Sequence, residues 1–186
     1  MPIKVLLLIL LLPCLTATAQ QRHSDTADDL LEHLPLVTNV ALKLCGVKSS
    51  TADSWEYGAN VLGSYAVAAG ITWGLKHSIH EWRPDHSDNK SFPSGHSTFA
   101  FAGAHALQKE YGQVSPWIAV GGYAVATGVA VDRVVKDRHH WYDVCTGAVI
   151  GIATTELVYH VTGKLFPHEH TTVACTGNQL SLHITF

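Results

Sequence analysis

Ser91-Phe92-Pro93-Ser94-Gly95-His96-Ser97 is the stretch of sequence that decides the fold. Pro93 fixes one backbone angle, Ser94 is a favourable helix N-cap, and Gly95 lets the backbone pass close to an anion. Apolar residues then recur at helical spacing, at Phe99, Ala100, Phe101, Ala104 and Leu107. The free N–H groups of such a helix would face a phosphoryl oxygen. An ordinary capped loop gives the same pattern, so the flanking segments must decide.

Two clusters of charged residues flank this loop. Lys76 and Arg83 lie seven residues apart near the end of a predicted helix, and two helical turns would place both cations on one face. His139 and Asp143 lie one turn apart, so the carboxylate can hold the imidazole in one tautomer. Arg133 supplies a third cation. Solvated helix-end charges and a surface ion pair are the structural alternatives.

Composition places the chain among single-domain proteins with an ample apolar core. It has 186 residues, of which 47% are hydrophobic and 15% charged. The net charge is −3 and there is no run of basic residues, which argues against nucleic-acid binding.

The N-terminal segment resembles a secretion signal. Lys4 precedes an apolar run at 5–12, and Ala17-Thr18-Ala19 is a small-residue cleavage site. We expect a signal peptide at 1–19, a single domain at 20–186, and export to the periplasm or cell envelope. A retained anchor and lipidation at Cys14 are the alternatives.

Cleavage would leave three cysteines in an exported protein: Cys45, Cys145 and Cys175. This number permits one disulfide and one free thiol, and the sequence does not choose the pair.

Helical periodicity predicts an all-α bundle of about five helices after a flexible lead-in at 20–28. The first predicted helix covers 29–45 with a bend at Pro35, and the second covers 55 to about 82. The third begins at the Pro-Ser-Gly-His loop and continues to Tyr111, with Gly112 as C-cap. The fourth covers 115–131, and the fifth runs from His139 or His140 to about Val161, with Gly163 as a stop. A charged segment is expected at 132–138. Alternating apolar residues around Gly177-Asn178 predict a small C-terminal β-hairpin.

Three of the predicted helices have apolar cores of about 15 to 20 residues, at the lower limit for crossing a bilayer. Small residues are frequent in them, which suits close packing in a membrane or in a tight soluble bundle. We favour membrane association, and the soluble form stays open.

Taken together, these segments resemble the signature of a known family. The order Lys76-x6-Arg83-Pro84, then Pro93-Ser94-Gly95-His96, then Arg133-x5-His139-x3-Asp143 is similar to the three-part signature of the type 2 phosphatidic acid phosphatase (PAP2) superfamily. Bacterial acid phosphatases and vanadium haloperoxidases share that signature. Asp132 stands where relatives usually have serine, and it could either orient Arg133 or weaken phosphate binding.

The resemblance implies roles for eight residues and requires no metal or other cofactor. The phosphate-binding set would be Lys76, Arg83, Ser94, Gly95 and Arg133. His139, oriented by Asp143, would attack phosphorus, and His96 would protonate the leaving oxygen.

The sequence therefore predicts a metal-independent phosphatase acting on a lipid phosphate through a phosphohistidine. Candidate substrates are undecaprenyl diphosphate, phosphatidate or phosphatidylglycerol phosphate, and lipid A. A soluble exported acid phosphatase is the alternative. A haloperoxidase is less favoured because those relatives are far longer, and a non-catalytic envelope protein is least favoured because no catalytic residue is missing.

Overall fold

The structure, a computed structural model, describes residues 25–166, 170–176 and 179–185. Within them the fold is an all-α bundle of six helices. These are α1 (Asp25–Glu32), α2 (Leu34–Leu44), α3 (Ser54–Ser78), α4 (Gly95–Tyr111), α5 (Pro116–Val135) and α6 (Trp141–Leu165). The predicted signal peptide at 1–19 lies outside the described residues.

The first predicted helix is two helices rather than one bent helix. His33 separates α1 from α2, and Pro35 lies in the first turn of α2, where its missing N–H is not needed. The predicted flexible lead-in is also wrong over its described part, because α1 already begins at Asp25.

The long helix α3 ends four residues earlier than predicted. Ile79 has an extended backbone (φ −112°, ψ 113°), and the chain leaves the helix there. Arg83 therefore lies in the following loop, and the expectation that Lys76 and Arg83 share one helix face is wrong.

The boundaries between α5 and α6 also differ from the sequence prediction. α5 runs on to Val135, so the predicted charged segment begins within its last turn. His140 is the N-cap of α6, which starts at Trp141 and passes through Gly163 to Leu165. The predicted start of α5 at Pro116 and the end of α4 before Gly112 are confirmed.

Helix α4 lies at the centre of the bundle and packs against the other five helices. Its approach to α6 is closest at two glycines spaced one turn apart. A Cβ at Gly147 would lie 2.5 Å from the carbonyl oxygen of Ser94, and one at Gly151 would lie 2.4 Å from that of Thr98. No side chain fits at either position, so these glycines fix the separation of the two helices.

Helices α5 and α6 are long and apolar enough to cross a membrane. Only 33% of the most apolar part of α5 and 28% of that of α6 is buried, which differs from a core helix of a soluble protein. The outward-facing apolar residues are Val120, Val131 and Val135 on α5 and Val149, Leu157, Val161 and Leu165 on α6.

Two strands follow the bundle, β1 (His170–Thr176) and β2 (Gln179–Thr185), which pair antiparallel with Val173 opposite Leu182. Residues 177 and 178, where the sequence predicts the turn, lie outside the described residues. The helices alone define the fold class.

Cys45 and Cys145 are free and exposed, so they do not form a disulfide with each other.

We predict that Gly151→Ala lowers the stability of the bundle by about 1–3 kcal/mol, because the added methyl group would overlap the α4 backbone. Thermal unfolding should detect the loss. Gly128→Ala on α5 is the matched control, because a Cβ there meets open space, and it should be neutral or slightly stabilising. Equal melting temperatures for the two variants would contradict the close approach of α4 and α6.

Candidate active site

The sequence-predicted site residues come together at one end of the bundle, where four helix ends meet. These are the C-terminal ends of α3 and α5 and the N-terminal ends of α4 and α6. The loop before α4 joins them: the Ser94 N–H donates to the carbonyl oxygen of Asp143 at 3.1 Å, and the Ser97 hydroxyl donates to that of Val144 at 2.7 Å. The loop that precedes α4 is thus held against the start of α6.

The start of α4 has the capped geometry that the sequence predicts. Ser94 is the N-cap, and its hydroxyl oxygen accepts from the Ser97 N–H at 3.4 Å. Gly95 is the first helical residue and lies next to Lys76, since a Cβ there would be in ordinary van der Waals contact with Cε of that lysine, at 3.9 Å. The helix end and a cation therefore lie side by side.

His139 lies against Asp143 in a buried pair. The His139 side chain is 2% exposed, and its Nδ1 is 3.6 Å from Oδ2 of Asp143. The Ser91 hydroxyl donates to the same carboxylate oxygen at 2.5 Å, as does the His140 N–H at 2.9 Å. Desolvation lowers the pKa of His139, and the nearby Arg83 and Lys76 charges lower it further. The imidazole is therefore neutral at pH 7.

Lys76 and Arg83 approach His139 from α3 and from the loop that follows it. Lys76 Nζ donates to the carbonyl oxygen of Lys90 at 2.8 Å. Burial, followed by the Arg83 charge, lowers the pKa of Lys76 to about 8. Arg83 is held by Asp88, through an Nε–Oδ1 contact of 2.9 Å, and by the carbonyl oxygen of Arg138 at 3.2 Å.

Arg133 belongs to the last turn of α5 and is 4% exposed. Its carbonyl oxygen accepts from the N–H groups of Arg138 and His139, at 3.0 and 3.2 Å, which fixes the chain just before α6. The neighbouring Asp132 forms an ion pair with Lys136 at 2.9 Å. The carboxylate that departs from the family pattern is therefore balanced by a cation on its own helix.

His96 occupies the first turn of α4, as predicted, but two acidic residues of α1 contact it. Its Nε2 is 2.9 Å from Oδ1 of Asp29, and its Nδ1 is 3.6 Å from Oε2 of Glu32. Burial, followed by the Arg133 charge, lowers the pKa of His96 to about 4.

Sequence reasoning missed three residues of this site. Ser91 lies within the loop stretch, and its hydroxyl could have been noticed as a possible partner for a buried carboxylate. Asp29 and Glu32 precede the three signature segments by more than 40 residues, and no spacing rule connects them to His96.

Two groups of side chains in the described part of the chain could each offer a metal ion three ligand atoms. They are Asp29, Glu32 and His96, and Glu81, His140 and Asp143. Each group shares one residue with the predicted catalytic set. The Glu81 group is already hydrogen-bonded, since the Tyr142 hydroxyl donates to Glu81 and the His140 N–H donates to Asp143.

A neutral, buried histidine beside a carboxylate, with Lys76 and Arg83 nearby at one end of a helical bundle, defines the class of site. The PAP2 superfamily model matches residues 57–167, which include nearly all of α3, all of α4 to α6 and every predicted site residue. The chain belongs to the PAP2 superfamily.

Curated relatives are lipid phosphatases by name. A lipid A 1-phosphatase of Porphyromonas gingivalis is 35% identical over 143 residues, which is 75% of this chain and 31% of that protein. A probable diacylglycerol pyrophosphate phosphatase 1 of Schizosaccharomyces pombe is 33% identical over 42% of this chain and 31% of its own length. Lipid phosphate phosphatase 2 of Arabidopsis thaliana is 37% identical over 38% of this chain and 28% of its own length. The matched region is thus less than a third of each relative. No solved structure matches the chain.

The lowered pKa of Lys76 predicts a pH-dependent anion affinity. Sulfate keeps its charge across the neutral and alkaline range, so its affinity should fall about tenfold between pH 7 and pH 9 as Lys76 loses its proton. Isothermal titration measures this. Lys76→Arg should remove the step because a guanidinium stays charged. An unchanged affinity of the native chain at pH 9 would exclude Lys76 from the anion site.

Proposed function

We propose that this chain is a metal-independent phosphatase that hydrolyses a lipid phosphate through a phosphohistidine on His139. One observation carries the proposal: a neutral, buried imidazole lies beside a carboxylate, close to the charges of Lys76 and Arg83. This arrangement suits nucleophilic attack on a tetrahedral anion.

We call the predicted phosphate-binding set beside His139 the anion pocket, and it would bind the phosphate. Lys76, Arg83 and Arg133 would neutralise its non-bridging oxygens, and the Ser94 hydroxyl and the Gly95 N–H would add hydrogen bonds. These fixed charges would stabilise the additional negative charge of the transition state, the role that magnesium has in many other phosphotransfer enzymes.

The first step would join His139 to phosphorus. With Nδ1 facing Asp143, the ring carries its proton there, and Nε2 keeps the lone pair that attacks. The N–P bond forms as the P–O bond to the leaving group breaks, and His96 donates a proton to the departing oxygen. In the second step His96 takes a proton from water, whose oxygen displaces His139 and releases inorganic phosphate.

The exposed apolar surface supports a lipid substrate. Much of α5 and α6 faces outward, and all five tryptophans are exposed: Trp55, Trp73, Trp82, Trp117 and Trp141. Trp55 and Trp117 lie at helix starts far from the site, whereas Trp73, Trp82 and Trp141 lie near it. Tryptophan is favoured where protein meets the lipid headgroups. We infer that the chain associates with a membrane and that the anion pocket opens near the headgroup layer.

The names of the relatives support a lipid phosphate monoester or diphosphate as substrate. The substrates in question are lipid A, phosphatidate or phosphatidylglycerol phosphate, diacylglycerol pyrophosphate and undecaprenyl diphosphate. An exported, periplasmic location would place the site on the outer side of the inner membrane, and it rests on the predicted signal peptide alone.

His139→Ala should abolish phosphate release, with a loss of at least about 1,000-fold, because the variant lacks the imidazole that would attack phosphorus. The acid-labile phosphoenzyme that the native chain should form on rapid quenching should also disappear. His160→Ala is the matched control, since His160 is exposed on α6, 19 residues after the first residue of that helix. Normal turnover by the His139 variant would refute the nucleophile assignment.

A phosphate-release assay across lipid and soluble esters should identify the substrate class. We expect lipid phosphates in mixed micelles to be hydrolysed at least tenfold more efficiently, in kcat/KM, than para-nitrophenyl phosphate, because the apolar faces hold the lipid near the pocket. Equal values for the two classes, together with solubility without detergent, would instead favour the soluble acid phosphatase.

A further inference from the structure

The first helix places two carboxylates on opposite edges of the His96 ring. Helix α1 packs against both α4 and α5. Asp29 contacts Nε2 at 2.9 Å, and Glu32 faces Nδ1 at 3.6 Å. A single metal ion could bind only one of these two ring nitrogens, so hydrogen bonding accounts better for the pair of contacts.

The two carboxylates differ in their surroundings. Glu32 is 8% exposed, and its Oε2 is buried without a hydrogen-bond partner. Its other oxygen accepts from Nε2 of His33 at 3.1 Å. The Asp29 side chain, by contrast, is 61% exposed. A buried oxygen without a hydrogen-bond partner lowers the stability of the folded chain. A small movement of Glu32 Oε2 towards Nδ1 of His96 would complete a hydrogen bond.

We propose that α1 is part of the active site: Glu32 positions His96 and resupplies its proton, while Asp29 holds Nε2 until the leaving oxygen takes that place. The proposal rests on the proposed phosphatase function. Because α1 precedes the residues that the family model matches, the family match assigns no role to it.

The proton transfers balance across both chemical steps. Before reaction the Glu32 carboxyl donates to Nδ1, and the neutral ring carries its proton on Nε2. As the P–O bond breaks, the Nε2 proton moves to the leaving oxygen and the Glu32 proton moves to Nδ1. In the second step Nε2 takes a proton from the attacking water and Nδ1 returns its proton to Glu32. Both side chains are then restored.

The charges around the pair favour this distribution of protons. Burial, followed by the Asp29 charge, raises the pKa of Glu32 to about 7, while the pKa of His96 falls to about 4, so below pH 7 the carboxyl holds the proton. The titratable or charged groups facing them are Asp29 on α1, His33, Tyr65 on α3, Arg133 on α5 and His139 before α6. Turnover should therefore decline as the pH rises through about 7.

Glu32→Gln tests the resupply of the proton, because glutamine keeps the size and a donor group but cannot release a proton. We expect kcat/KM, which reports the steps up to release of the leaving group, to fall by about tenfold or more on an alkyl or lipid phosphate, whose leaving oxygen needs a proton. On para-nitrophenyl phosphate, whose nitrophenolate leaves without one, kcat/KM should change by less than about threefold. The decline near pH 7 should disappear, whereas Glu32→Asp should retain it.

Two further variants separate a chemical role from a structural one. Glu56→Gln alters a carboxyl that is 4% exposed at the far end of α3, and it should change neither the pH profile nor the leaving-group dependence. Asp29→Asn removes the charge beside Nε2 but keeps an oxygen that can accept from it, so it should lower kcat/KM by less than Glu32→Gln does. Melting temperatures for all four variants establish that each is folded.

The outcomes distinguish this proposal from the phosphatase assignment on which it rests. An inactive native chain without a phosphoenzyme would refute the proposed function itself. An active native chain in which Glu32→Gln lowers kcat/KM equally for both substrates, or for neither, would overturn the role of α1 alone. A larger loss in Asp29→Asn than in Glu32→Gln would also overturn it, because the exposed carboxylate would then be the essential partner.

Discussion

The close approach of α4 and α6 is the constraint on which the rest of the structure depends. Gly147 and Gly151 let the two backbones meet, and the Ser94 N–H and Ser97 hydroxyl then reach carbonyl oxygens at the start of α6. Without that contact, the loop that begins α4 and the histidine that precedes α6 would not lie at the same site. The packing of α4 against α6 therefore also sets the positions of the candidate site residues.

The site combines groups whose charge states depend on burial. Desolvation keeps His139 neutral and makes Lys76 a weaker base than usual, while Asp143 accepts hydrogen bonds from Ser91 and from the backbone. An uncharged imidazole and neighbouring cations can therefore coexist within one site at neutral pH. Such environments favour phosphoryl transfer, where charge stabilisation provides most of the rate enhancement.

Much of the fold could be predicted from periodicity, and the errors have local physical causes. The helix type, the start at Gly95 and the start at Pro116 follow from capping residues and proline, whose effects are confined to neighbouring residues. The end of α3 and the break at His33 were missed because packing decides them. Because the helical pattern continues up to Trp82, the sequence predicted Arg83 at a helix end, whereas it reaches the site from a loop.

The sequence by itself determined the family, the eight candidate site residues and the helical class, because signature spacing and hydrophobic periodicity are properties of short segments. Only the tertiary structure decided which groups surround those residues. It placed Ser91 on Asp143, paired Asp132 with Lys136, and set Asp29 and Glu32 around His96. The reason is that contacts between segments far apart in the chain arise from packing and leave no regular spacing in the sequence.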